Sequence, residues 1–280
     1  AAMVMPANTI LAQSASPTAR RMATMFFTNP GEEKAGHGEP GYLNARNQQM
    51  RRYDNLFRGA IDQLDDGQMS ELMEAMQNET PTDSLSDPDV AEAKEKLHGM
   101  FERFHRYMTD EKGLRIGKIN ENYFPVVWDP AEVAKPEFQE MLRTKYAAQM
   151  REMAGSYNDS LEDKASAITA DDVPRMLAER IARTEGLLET QAPFREDGVL
   201  RPWFASGERR ALNFIAPEDR APFLEKNLVT TLSRYVRQGV RTAEYSSRFG
   251  RNGIVLANML GSVQRELKEV AGRKLAEGEF

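Results

Sequence analysis

From Tyr42 to Asn78, apolar side chains recur at intervals of three and four: Leu43, Met50, Tyr53, Leu56, Phe57, Ile61, Leu64, Met69, Leu72, Met73 and Met76. That spacing gathers them on one side of a helix and conflicts with the strict alternation of a half-buried strand. The interruption at Asp65-Asp66-Gly67 divides the run into two helices. A chain that begins this way must bury its helical faces against other helices.

The same reading extends along the sequence. After Ser16-Pro17 a helix runs to Phe27 and stops at Asn29-Pro30-Gly31. Asp87-Pro88 supplies an N-cap and a first-turn proline for a helix carrying Leu97, Met100, Phe101, Phe104, Tyr107 and Met108, which Gly113 closes. Asp129-Pro130-Ala131-Glu132 announces another helix start, and Pro136 restarts or kinks a helix reaching about Met153. Thr169 to Asp172 caps a helix through Leu188, a long segment spans Pro217 to Gly250, and Arg251-Asn252-Gly253 precedes a last helix with Ile254, Met259, Leu260, Val263, Leu267 and Val270. No fixed-period repeat occurs. The expected class is all-α.

Two connectors interrupt this pattern. In GLRIGKINENYFPVVWDP, Pro125 keeps Phe124 out of an easy helical conformation. Tyr123, Phe124, Pro125 and Trp128 are expected to form a buried structural joint within an extended connector near 114–128. The stretch APFREDGVLRPWF around Trp203 is a second aromatic connector. Charged residues make up 29% and mean hydropathy is −0.61, which suits long, partly solvated helices in an elongated assembly. The expected division is 1–128 and 129–280.

Composition narrows function further. A net charge of −6 opposes coating of nucleic acid over the whole surface, so any such contact is local. There are 0 cysteines, which excludes disulfides, thiolate metal sites and cysteine nucleophiles. No apolar run approaches the roughly 18 residues a membrane span needs. The opening AAMVMPANTILAQSAS lacks a basic start and contains Pro6, so it reads as ordinary chain rather than a secretory signal. A first residue of Ala1 and an end at Glu279-Phe280, where helical patterning runs out, lead us to expect a piece of a longer protein.

Catalytic signatures do not assemble. GLRIGK has one residue too few between its glycines for a phosphate loop, and Ile119 follows Lys118 where Ser or Thr is required. Glu95 with His98 and Glu102 with His105 each have the Glu-x-x-His spacing of di-iron bundles, but both lie on one helix instead of two. No Gly-x-Ser-x-Gly accompanies the serines, and Asp65-Asp66 and Asp171-Asp172 sit where acids cap helices. No catalytic residue, metal or cofactor is therefore assigned.

In KNLVTTLSRYVRQGVRTAEYSSRFGR, Arg234, Arg237, Arg241 and Arg248 fall within about 60° of one another on a helical projection. Leu228, Leu232, Tyr235, Val236 and Val240 occupy the other side. The stripe reads either as a surface for phosphates or an acidic partner, or as a solvated face neutralised by the chain's own carboxylates. The 15 methionines, several at helical spacings, are mainly core, with a minority suited to adaptable contact surfaces.

A resemblance enters through particular motifs. Ser16-Pro17-Thr18-Ala19-Arg20-Arg21 leads into Met25-Phe26-Phe27 and Pro30-Gly31-Glu32, followed by Gly41-Tyr42-Leu43-Asn44-Ala45-Arg46. Then come Gly113-Leu114, Ile116-Gly117 and Asn122-Tyr123-Phe124-Pro125, and finally Arg241-Thr242-Ala243-Glu244-Tyr245 with Arg248-Phe249-Gly250. Together they resemble large bacteriophage internal virion or DNA-ejection proteins and related large polyvalent phage proteins. The resemblance implies a helical, non-enzymatic domain within the virion, delivered with the genome into the host. Implied partners are other virion proteins, further copies of the chain, and DNA through the local basic stripe. Some such proteins carry enzymes elsewhere in very long chains, so the alternative is a nucleic-acid-contacting accessory domain of a phage enzyme such as a virion-packaged RNA polymerase. The pattern often has a basic residue after Asn-Tyr-Phe-Pro, where Val126 stands here.

Overall fold

The computed structural model describes residues 7–27, 40–114, 124–159, 167–183, 212, 214–250 and 253–277. Among them the chain is all-α, and no strand forms. Helices α1 (Ala7–Ala12), α2 (Pro17–Phe26), α3 (Tyr42–Gly59), α4 (Asp66–Gln77) and α5 (Pro88–Arg106) precede the first connector. Helices α6 (Pro130–Val133), α7 (Pro136–Lys145), α8 (Ala147–Asp159), α9 (Val173–Arg183), α10 (Pro217–Arg220), α11 (Leu228–Phe249) and α12 (Ile254–Glu277) follow it.

Local chemistry sets the helix ends. Asp65 and Gln68 form a reciprocal capping box at the start of α4. Asp87 accepts the amide of Asp89 at 2.8 Å ahead of Pro88, and Asp129 accepts the amide of Ala131 at 2.8 Å ahead of Pro130. At its far end α5 widens into a π-turn over Tyr107–Glu111, and Gly113 ends it with φ 69°, a conformation glycine adopts without a Cβ penalty.

Two expected helices are interrupted. The one running from Pro136 to Met153 breaks at Tyr146, whose hydroxyl donates to Asp219 at 2.8 Å and accepts the amide of Ala216 at 2.8 Å. The segment from Pro217 to Gly250 divides because Leu224 turns extended and Asn227 then caps α11 by accepting the amide of Thr230 at 2.8 Å. The expected end of α9 at Leu188, the connector around Trp203 and the turn at Asn29-Pro30-Gly31 lie outside the described residues.

Two compact units emerge. One comprises Ala1–Tyr53, Arg106–Ile116 and Gly239–Phe280, the other Asp54–His105 and Gly117–Gln238. Each draws on segments distant in sequence, so neither coincides with 1–128 or 129–280.

In the first unit Phe26, Tyr42, Tyr245 and Phe249 form one ring cluster, with Phe26 stacked on Phe249 at 4.6 Å and Tyr42 edge-on to Phe249 at 5.7 Å. Ser16 caps α2 and donates to Glu266 of α12 at 2.5 Å, while the amide of Thr18 donates to the same carboxylate at 3.1 Å. An acid at a helix N-terminus complements the dipole, so Glu266 ties α12 to α2.

In the second unit α5 buries Val90, Ala93, Leu97, Phe101 and Phe104, spaced three and four apart. Phe101 and Phe104 lie 5.6 and 5.3 Å from the ring of Tyr235. Each such large side chain contributes about 1.5–3 kcal/mol through burial. A second cluster unites Trp128, Phe138, Leu142, Met150, Val173, Leu177, Ile181 and Phe223.

One core position conflicts with its surroundings. Thr231 is fully buried and its hydroxyl has no hydrogen-bond partner. Thr231→Val removes that desolvated group while keeping the β-branched shape, and is expected to stabilise the protein by about 1 kcal/mol. Thermal melting tests this, and a lower melting temperature would refute it.

Candidate functional site

The four arginines of α11 have different environments. Arg234 and Arg237 belong to the second unit, Arg241 and Arg248 to the first. Arg248 is turned inward: it pairs with Glu244 and donates to the carbonyl of Pro40 at 3.0 Å. Arg234 Nη1 is buried 3.2 Å from Glu225 Oε2, close enough for charge attraction yet without a hydrogen-bond partner. Arg237 and Arg241 are exposed.

Arg234 and Arg237 line a cleft of about 570 Å³ together with Arg58, Ser233 and Thr230. Arg58 comes from the last turn of α3, and the remaining polar residues come from the first turns of α11. Asp54 holds Arg58 at 2.9 Å and accepts from Ser233 at 2.7 Å, which positions two lining side chains through one carboxylate. Arg58 was not among the residues the sequence singled out. Its only local signal was Asp54 four residues earlier, the spacing of an ordinary helical ion pair.

Glu244 is the only acidic residue in α11 and is fully buried. Tyr107 donates to it at 2.7 Å, Lys112 pairs with it at 2.9 Å, and Arg248 pairs with its other oxygen. Tyr107 and Lys112 are five residues apart, which on an α-helix would separate them by about 140°. The π-turn between them, closed by the Lys112 amide donating to the Tyr107 carbonyl at 3.1 Å, lets both reach one carboxylate. Burial opposes ionisation of Glu244, but the hydrogen bonds from Tyr107 and Lys112 and the charges of Arg248 and Lys112 outweigh it, holding its pKa below the usual glutamate range. Burial, reinforced by the donated hydrogen bond to Glu244, pushes the Tyr107 phenol up and keeps it neutral.

The connector residues Phe124, Pro125 and Trp128 are buried; Tyr123 lies outside the described residues. Trp128 packs edge-on against Phe138 at 5.6 Å, and Phe124 against Phe101 at 6.2 Å. The Asp129 amide donates to the Phe223 carbonyl at 2.9 Å and the Glu225 amide to the Val127 carbonyl at 2.9 Å, making a short antiparallel bridge. His98 Nε2 lies 3.5 Å from Glu102 on the surface of α5, and no group of three metal-ligating side chains forms among the described residues.

Helix α12 carries Leu256, Leu260, Val263, Leu267 and Val270 at alternating intervals of four and three, the spacing of a helix-pairing seam. Leu260 is 50% exposed and Leu267 43%, and Ile254 and Val255 at the helix start are 61% and 39% exposed. No helix among the described residues is long and apolar enough to cross a membrane.

Comparison with protein-family models, with characterised proteins and with solved structures finds no match.

Glu244→Gln keeps the shape but leaves Lys112 and Arg248 facing an uncharged amide, and should cost about 3 kcal/mol at neutral pH. Because the folded-state pKa is depressed, the stabilisation from ionised Glu244 is complete above the ordinary unfolded glutamate value and disappears as pH falls through the folded value. Denaturant titrations at several pH values should show the gap between the two proteins closing on acidification. A gap that stays constant down to the lowest pH at which both fold would contradict this.

Proposed function

We propose that the chain is a helical interaction domain of a bacteriophage virion protein, used in particle assembly and genome delivery. The observation that carries the interaction reading is the apolar seam of α12, where Leu260 and Leu267 stay exposed at the spacing of helix pairing. Contiguous exposed apolar residues mark contact surfaces, and a helix offering anchors four and three apart suits docking against a partner helix.

The phage assignment rests on the motif resemblance. Of the residues in those motifs, Ser16, Tyr42, Glu244, Tyr245, Arg248 and Phe249 belong to one compact unit, where they cap, pair and stack. Motifs distant in sequence thus serve one packing arrangement. The joint formed by Phe124, Pro125 and Trp128 supports the second unit in the same non-catalytic sense, and no enzymatic role is assigned. The working location is the virion interior.

Two measurements test this reading. Peptide mass spectrometry of purified source-phage particles should find peptides of this chain in full particles and lose them from emptied ones. Leu260→Glu and Leu267→Glu, both at exposed positions, should change stability by no more than about 0.5 kcal/mol and abolish incorporation into particles. Normal incorporation of the double variant would remove α12 as the contact surface, and absence of the peptides from both particle types would overturn the virion assignment.

A further inference from the structure

We infer that the cleft lined by Arg58, Arg234 and Arg237 is a binding site for phosphate groups. Three guanidinium groups converge on one opening of about 570 Å³, a volume in the range of ligand clefts and far larger than a single ion needs. Guanidinium presents a planar fork of donors that matches phosphate oxygens two at a time, which makes arginine the residue suited to this ligand. The cleft also lies at the first turns of α11, a helix of 22 residues, whose N-terminal dipole adds positive potential to that of the side chains.

The carboxylates nearby shape the selectivity. Asp54 and Glu225 already face Arg58 and Arg234, so a ligand with a single carboxylate gains little. A ligand bearing several negative charges is favoured, because it engages the cluster at several points at once. The Asp54–Arg58 pair is a surface contact with Arg58 57% exposed, so redirecting that guanidinium toward a ligand costs little.

This assignment differs from a continuous basic stripe along α11. Arg248 is consumed by Glu244 and Pro40, and Arg241 does not line the cleft. Arg58, from a different helix, takes part instead. The ligand is therefore gripped between helices and not laid along one.

The test uses the full chain and two probes, a fluorescently labelled single-stranded oligonucleotide followed by anisotropy and inorganic triphosphate followed by calorimetry. At least one probe should bind, with affinity falling as salt rises. Arg58→Gln and Arg237→Gln should each weaken that binding about tenfold and lower the salt slope by about one, while Arg241→Gln leaves it unchanged. Binding of the oligonucleotide alone identifies a polynucleotide backbone as the phosphate source, and binding of triphosphate alone identifies a small phosphate ligand. The inference is overturned if neither probe binds, if neither cleft variant weakens binding, or if Arg241→Gln weakens it as much as Arg237→Gln. Both cleft substitutions are at exposed side chains and are independent of each other, so a folding defect in one leaves the other decisive; circular dichroism melts identify such a defect.

Discussion

Glu244 is shut off from water, and ionising a carboxylate there is costly unless neighbouring groups replace the lost solvation. Tyr107, Lys112 and Arg248 replace it, and each must come from a defined place to do so. Tyr107 and Lys112 reach the same acid only because α5 ends in a π-turn, and Arg248 reaches it from one helical turn further along α11. Arg248 then donates to the Pro40 carbonyl just before α3 begins, so three separate segments of the first unit are held by one buried charge. A fully satisfied polar network of this kind specifies one arrangement more sharply than apolar packing does. The adjoining rings of Tyr42, Tyr245 and Phe249 supply the area burial that the network does not.

Among its described residues the second unit has no buried acid of this kind. Its connector is extended because Pro125 disfavours the helical region at Phe124, and extended backbone needs partners for its amides and carbonyls once buried. Residues 127–129 find them at 223–225, where Leu224 is extended as well. Two hydrogen bonds are enough, because α6 and α11 begin immediately afterwards and take over the pairing. Trp128 fills the space beside this bridge, which explains why so large a side chain occurs in a turn between helices.

Helical periodicity and capping residues made the helix class, the breaks at Asp65 and Asp87, and the burial of Trp128 legible from sequence. The breaks at Tyr146 and Leu224 were not, because each is set by a distant partner: Asp219 and Ala216 for Tyr146, and Trp128 for Leu224. A one-dimensional pattern carries no record of such pairings. The division into units escaped for the same reason, since it follows contacts among segments far apart. At the candidate sites the helical projection groups Arg234, Arg237, Arg241 and Arg248 on one side of a helix, but projection cannot report which of them faces a carboxylate or lines a cleft. For Arg248 a local signal existed in Glu244 four residues before it; for Arg234 the partner, Glu225, stands beyond the helix start.

Four arginines at helical spacing on a single face thus have unlike fates, and the cause is the placement of two acids. Where an acid lies inside the core, as Glu244 does, its desolvation cost demands a cation, and Arg248 becomes structural. Where the acid stands ahead of the helix and is not fully buried, as Glu225 is, it pairs with Arg234 at 3.2 Å while Arg234 also lines the cleft. A stripe of like charge is therefore a poor unit of functional reasoning for this chain. The informative unit is each cation together with the burial of its counter-charge, and by that criterion the part of α11 that lines the open cleft is its beginning and the load on its end is folding.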